Sequence, residues 1–370
     1  MSQLQNSSTI PLLTEFKSKH IQLSNRIVMA PMTRSRAGKG FAPTDLNKIY
    51  YEQRSSAGLI ITEGSQISED AVGYRNTPGI YSKEQVEGWK HITDAVHKKN
   101  GKIFIQLWHV GRISHPDFLG GKLPFAPSPI KPEGKIRTYD GIKEMLTPKA
   151  MTKSDIEKTI RDYVEAAKNA ILANFDGVEI HSANCYLLQQ FLCDSSNQRQ
   201  DEYGGSIENR CRMIFNIIEA VIQTIGNQKV GIKLSPSNFN FGTYDSNPIG
   251  TYDYLVNELN KFDLVYLHLQ EPLIPQEKIP DRYLKKVTEH YRKIYKGTII
   301  TNGNYEFHSG NKAIADGIAD LVSFGRLFIS NPDLPLRFKL GAELTIPDKE
   351  TFYDGGEKGY IDYPFINPNL

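Results

Sequence analysis

Only three cysteines occur in 370 residues, Cys185, Cys193 and Cys211. An odd number without metal-type spacing gives neither a disulfide framework nor an iron–sulfur cluster. It fits free thiols in a reducing cytoplasm. Neither sign of charge dominates: the formal net charge is +2, and no basic run interrupts the chain. That balance argues against nucleic acid or a membrane surface as a partner. No apolar run reaches the roughly 18 residues of a membrane-spanning helix. The opening MSQLQNSSTI lacks the apolar centre of a signal peptide. No His, Cys and Asp cluster has ligand spacing, so no metal is expected. No G-x-G-x-x-G follows a strand, so no dinucleotide is expected in a Rossmann site.

What is present is alternation. Eight short apolar segments, 26–30, 59–62, 102–107, 176–180, 229–234, 264–267, 298–301 and 320–324, are separated by stretches of helical period. Each is an almost unbroken apolar run, as in strands buried on both faces. Ser82–Gln85 and Ser154–Glu157 read as capping boxes. Val86, Trp89, Ile92 and Val96 follow the first on one face, and Ile156, Ile160, Val164, Ala167 and Ile171 follow the second. Eightfold alternation predicts an α/β fold, a parallel (β/α)8 TIM barrel. A doubly wound sheet is the competitor, but polar residues recur at the C-terminal ends of the strands throughout. One barrel with insertions accounts for 1–370 as a single domain. Residues 12–23 are expected to form an N-terminal hairpin closing the barrel bottom. The long connection after the third strand, about 109–152, is expected to be a hairpin-bearing lid, with a turn at Tyr139-Asp140-Gly141-Ile142. The aromatic tail, about 342–370, is expected to pack on the barrel.

The segment Asp176–Arg210 carries the chemistry. An apolar strand, Gly177–Ile180, runs directly into His181, Asn184 and Tyr186. Two hydrogen-bond donors and a phenol at one strand end suit a carbonyl compound. On a helical turn, His181 and Asn184 share a face and grip one oxygen, and Tyr186 donates a proton nearby. The other strand ends, in order, bring Thr33, Gly64, Gln106 with Trp108, Lys233, Gly303 with Asn304, and Gly325 with Arg326. Amides and hydroxyls suit a heterocycle edge, and a cation balances negative charge. Glycines followed by Asn and Arg on the last two strands suit a phosphate.

These motifs resemble the Old Yellow Enzyme family of flavin ene-reductases, including the NADPH dehydrogenases and 12-oxophytodienoate reductases. The resemblance runs from Asn25–Arg34 through GLIITEG (58–64), QLWHVGR (106–112), the 176–210 segment and SFGRLFISNPDL (323–334) to Thr351–Tyr353 and Gly359–Pro364. It implies non-covalent FMN at the barrel mouth, with Pro31, Met32, Thr33, Gly64, Gln106 and Lys233 about the ring. Gly303, Asn304, Gly325 and Arg326 would hold its phosphate. His181 and Asn184 would bind the substrate oxygen, Tyr186 would be the proton donor, and Tyr74, Trp108 and Tyr353 would shape the pocket. The implied reaction is reduction of the activated C=C bond of an enone, enal or nitroalkene, with NADPH or NADH as reductant. A cytoplasmic monomer or homodimer is implied.

Two positions depart from the family. Lys233 stands where Arg is usual, keeping the charge but losing the planar fork. As an ordinary amine it would titrate near ~10.4, or higher beside a flavin anion. Cys185 stands where Gly is common, so a side chain there would narrow the pocket or shift the turn. Bland readings accompany the sharp ones: His109 and the D-E-Y-G-G-S loop (201–206), with Ser206 as an N-cap, read as scaffold. Two rival functions stay open on the residues alone. One is a flavin- or phosphate-binding barrel without turnover. The other is a cofactor-free lyase using Lys233 as a Schiff-base former.

Overall fold

In the computed structural model, which describes residues 10–366, all eight apolar segments are parallel strands. They are Ile27–Met29 (β1), Leu59–Gln66 (β2), Ile103–Trp108 (β3), Gly177–Ser182 (β4), Val230–Leu234 (β5), Tyr266–Gln270 (β6), Ile299–Asn302 (β7) and Leu321–Phe324 (β8). Neighbours pair in chain order and β8 closes on β1, so the sheet is a closed barrel with no free edge. The signal-peptide reading rests on residues 1–10, and residues 1–9 lie outside those described. No helix among the described residues is long and apolar enough to cross a membrane.

Alternation along each strand divides the core in two. Val178, Ile180, Ile232 and Leu267 join the large core beneath the helices. Val28, Leu59, Ile61, Phe104, Tyr266, Ile300 and Leu321 fill the lower barrel interior. Gly177 and Gly231 make room for the two rings: an added Cβ would stand 2.5 Å from Phe104 and 2.4 Å from Tyr266. The expected hairpin, Phe16–Lys17 against Gln22–Leu23, inserts Phe16 and Leu23 into this same cluster and so plugs the barrel bottom.

The helix Lys83–Lys98 starts as expected, with Ser82 and Gln85 in a capping box. The next box forms two residues earlier than expected. Thr152 caps helix Lys153–Leu172 with Asp155 as its partner, and Ser154 lies inside the first turn. Thr-Lys-Ser-Asp holds two overlapping capping signals, and the Asp carboxylate at the third helical position decides between them. The buried stripe shifts with it, to Ile156, Tyr163, Ala166, Ala167 and Ala170, while Ile160, Val164 and Ile171 are half-buried.

The connection after β3 contains a hairpin, Lys135–Thr138 with Gly141–Glu144, turning at Tyr139-Asp140. Its Ile136 packs with Ile113 and Met145, and Tyr74, Phe118, Tyr186 and Phe241 lie against that cluster. The hairpin thus stands beside Tyr186. The tail also packs on the barrel. Tyr360 is buried and stacks on Tyr50 with centroids 4.1 Å apart. Arg34 donates to the carbonyls of Phe352 (3.1 Å) and Gly359 (2.8 Å), and Arg36 to those of Thr351 (2.8 Å), Asp354 (2.6 Å) and Gly356 (2.9 Å).

Candidate active site

The C-terminal strand ends converge on an open cavity of about 580 Å³. Pro31, Met32 and Thr33 line it from β1, and Lys233 from β5. Gly303 and Asn304 after β7 and Gly325 and Arg326 after β8 form one end of it. Asn184 and Tyr353 complete the wall. These ten expected residues therefore share one space.

Lys233 is the unusual member. It is 3% exposed, and its ammonium makes no hydrogen bond or ion pair among the described residues. Burial pulls its pKa down to about 8, against the opposing pull of Glu179. That corrects the expectation of an ordinary amine: desolvation of the charged form outweighs the one nearby carboxylate. At the other end, the backbone amides of Asn304, Gly325 and Arg326 donate to nothing among the described residues, and the Arg326 side chain is exposed and unpaired. Open amides beside a free guanidinium make an anion-binding concavity.

The 181–186 turn is not helical. Asn184 and Cys185 both take positive φ, 57° and 64°. Helix Leu187–Leu192 begins only after Tyr186. The Asn184 amide is nevertheless oriented: its Oδ1 accepts from Asn238 Nδ2 at 3.1 Å, which leaves its NH2 free to donate. His181 is buried, and its Nδ1 has no partner. Burial and the charges of Lys233 and His268 push its pKa well down, so the ring is neutral. The Cys185 thiol does not narrow the cavity. It is buried against the 238–243 loop, where Sγ accepts from the Asn240 amide at 3.2 Å. Burial raises its pKa to about 12, so it is an inert thiol. Its contacts offset a backbone conformation that glycine adopts freely.

Tyr186 Oη donates to Tyr74 Oη at 3.0 Å. Burial and the neighbouring Tyr74 hold Tyr186 well above the usual phenol range, and burial raises Tyr74 to about 12. Trp108 joins them: it stacks on Tyr74 (centroids 5.4 Å) and meets Tyr186 edge-on (4.9 Å). Gly64 serves this wall, since a Cβ there would stand 2.7 Å from the Trp108 ring. His109 is buried and accepts from the Gly111 amide at 3.0 Å, and burial lowers its pKa to about 3, as befits scaffold. Ser206 caps its helix, as expected.

Gln106 lies in a deeper layer. Its Nε2 donates to Glu179 Oε1 at 2.7 Å. Glu179 Oε2 lies 2.8 Å from His268 Nδ1, and His268 Nε2 lies 2.8 Å from Ser323 Oγ. The sequence reading passed over Glu179, His268 and Ser323. The signal was present as charged residues at inward positions of otherwise apolar strands, GVEIHS and YLHLQ.

Comparison with known proteins agrees with this geometry. Residues 11–345 match the NADH:flavin oxidoreductase / NADH oxidase family. The chain is 45% identical to 12-oxophytodienoate reductase 1 of Oryza sativa subsp. japonica over 368 residues, 97% of this chain and 94% of that one. It superposes on the Old Yellow Enzyme homologue from Zymomonas mobilis with a TM-score of 0.92 at 41% identity, covering 95% and 99% of the two chains. Morphinone reductase in complex with tetrahydroNAD gives a TM-score of 0.90 at 44% identity, covering 97% and 98%. A barrel with this set of strand ends, matched over nearly its whole length, belongs to the Old Yellow Enzyme family of NADH:flavin oxidoreductases.

Proposed function

We propose that the protein is an FMN-dependent ene-reductase that reduces α,β-unsaturated ketones, aldehydes or nitroalkenes at the expense of NADPH or NADH. The observation that carries this reading is the buried, unpartnered ammonium of Lys233 in a cavity that also holds open amides and the free donor of Asn184. These groups fit FMN. Lys233, Thr33 and Gln106 suit the polar ring edge. Gly303, Asn304, Gly325 and Arg326 suit the phosphate. When bound, FMN would supply hydride transfer between the nicotinamide and the β-carbon of the substrate.

The protein's own residues do the rest. Neutral His181 and the NH2 of Asn184 donate to the substrate oxygen, which gains negative charge as the double bond is reduced. A preorganised donor of this kind is worth roughly 2.7–4 kcal/mol of barrier. Tyr186 is held protonated, with its one hydroxyl proton donated to Tyr74 at rest; that proton would turn to the α-carbon for transfer, and Tyr74 would then donate to the phenolate left behind. Trp108 and Tyr353 bound the space the substrate occupies. Membership in a flavin oxidoreductase family leaves no support for the Schiff-base lyase or the silent binder.

The reading extends to a single domain over 1–370 with 109–152 as lid, and to a monomer or homodimer. Three buried thiols, Cys185, Cys193 and Cys211, suit a cytoplasmic setting. The deciding experiment is purification: the protein should carry oxidised-flavin absorbance, release FMN on heating, and oxidise NADPH or NADH with cyclohexenone. A colourless protein that does not take up FMN overturns the reading.

A further inference from the structure

We propose that Glu179, fixed by His268 one layer beneath the cavity, is a positioning residue that orients Gln106 and supplies the countercharge for Lys233 at the flavin ring edge. The proposal rests on the FMN reading above.

A hydrogen-bonded chain crosses the barrel interior from β3 to β8: Gln106, Glu179, His268, Ser323. Gln106 is 3% exposed and the other three are fully buried. Directly below lies the apolar layer of Phe104, Tyr266, Ile300 and Leu321, which fills the same interior without charge. Burying a carboxylate costs several kcal/mol unless it is paired and hydrogen-bonded. The charge is therefore placed at the one level where apolar packing ends and the cavity begins. Both Glu179 oxygens are used, and one proton lies between Oε2 and His268 Nδ1.

Two consequences follow from that carboxylate. It only accepts, so the NH2 end of Gln106 must face it. The Gln106 Oε1 accepts nothing among the described residues and is left as a free acceptor for a ring N–H. The second consequence concerns Lys233. Strand register sets it beside His181 on β4 and His268 on β6, with the Tyr266 phenol in the layer below. His181 is neutral and burial keeps Tyr266 protonated. Glu179 is the carboxylate whose charge favours the ammonium. Without it, nothing in these layers opposes desolvation, and Lys233 loses its proton at lower pH.

The test is FMN affinity against pH. Holoenzymes of wild type, Glu179→Gln, Lys233→Arg and Glu179→Gln/Lys233→Arg are diluted serially between pH 6 and 9.5, and released FMN is read by its fluorescence. Above the pH where free Lys233 deprotonates, binding must take up a proton, so Kd rises with pH. In wild type the rise should begin near pH 8. In Glu179→Gln it should begin at a lower pH, and in both Lys233→Arg proteins it should be absent. A Glu179→Gln protein whose Kd keeps the wild-type pH dependence overturns the proposal, even where a pH-independent loss from the misoriented Gln106 accompanies it. A wild type that releases no FMN because it never held any overturns the FMN reading instead, and this proposal with it. If Glu179→Gln does not fold, Glu179→Gln/Lys233→Met is compared with it, since the partner charge is then gone too. Recovery of folded protein supports the pairing, and equal failure of the double variant overturns it.

Discussion

Tyr186 and Tyr74 meet phenol to phenol, with Tyr186 donating across 3.0 Å, although they are 112 positions apart in the chain. In the proposed reaction Tyr186 would supply the proton, and Tyr74, stacked on Trp108, holds the Tyr186 hydroxyl. Tyr186→Phe should leave flavin reduction by NADPH nearly unchanged and slow reoxidation by cyclohexenone by about 10²-fold or more, the usual worth of a general acid. Tyr74→Phe should slow the same step by less. Rapid-mixing measurements of the two half-reactions separate these cases. Equal slowing of both half-reactions by Tyr186→Phe would assign it a structural role.

The oxygen site is open to a direct spectroscopic test. A phenolate mimics the negative oxygen that His181 and Asn184 are placed to bind. A para-substituted phenol should give a long-wavelength charge-transfer band with the oxidised enzyme. His181→Ala and Asn184→Ala should each weaken binding, by roughly 1.5–3 kcal/mol for a hydrogen bond to a charged group. A band of full strength at unchanged affinity in both variants would remove these residues from the oxygen site.

Charge, more than geometry, should be what Lys233 supplies. Lys233→Met should lower the flavin reduction potential and weaken FMN binding, because an anionic reduced ring loses its cation. Lys233→Arg should hold FMN as tightly or more tightly, since the fork adds a second donor. Equilibrium redox titration of the three proteins reads this out. An unchanged potential in Lys233→Met would place the ammonium away from the ring.

Glu63 supplies a stability prediction with a definite sign. It is buried beside the site, accepting from the Arg34 amide at 3.1 Å and from Tyr51 Oη at 3.3 Å. Burial raises its pKa to about 7, against hydrogen bonds and the Arg34 charge that pull it down. Unfolded, it titrates near ~4.3. Between these values the folded state holds more proton than the unfolded state, so stability falls as pH rises. Glu63→Gln lacks this equilibrium. The Tm of wild type minus that of Glu63→Gln should decline from about pH 4.5 to 7 and then level. A difference independent of pH would mean that Glu63 is ionised throughout.

Gly64→Ala tests the aromatic wall. The new methyl would stand 2.7 Å from the Trp108 indole, which is 2% exposed and has Tyr74 and Tyr186 against it. Overpacking of this kind costs about 1–3 kcal/mol. A lower Tm with altered near-ultraviolet dichroism is expected. A protein with wild-type Tm and spectrum would show that the wall yields without cost.

The barrel was legible because its strands are buried on both sides, which writes them as continuous apolar runs such as Leu59–Ile61 and Ile103–Ile105. The strand-end residues were legible for a related reason: Thr33, Lys233 and Arg326 are polar where an apolar run stops. Glu179 and His268 were harder, because a charge inside a strand has meaning only when its cross-barrel partner is known, and 89 residues separate the two. The displaced cap at Thr152 reflects two equivalent local signals that differ only in tertiary fit. Of the two effects expected of a side chain at Cys185, a narrowed pocket is absent, because the positive-φ backbone turns the thiol toward the Asn240 amide. Lys233 was misjudged as an ordinary amine because desolvation is a property of the folded surroundings, which composition does not record.

The arginines that follow Thr33 tie the end of the first barrel strand to the tail. Arg34 and Arg36 sit at the end of the first barrel strand, yet the carbonyls they hold belong to residues 351–359. With all eight strands in place, the guanidiniums beside Thr33 reach Tyr50 Oη and the Arg34 carbonyl, and the carbonyls of residues 351–359 supply the rest of their partners. The same wiring makes residues 351–359 a clasp: a cut after residue 340 should spare every strand and leave both guanidiniums without these carbonyls.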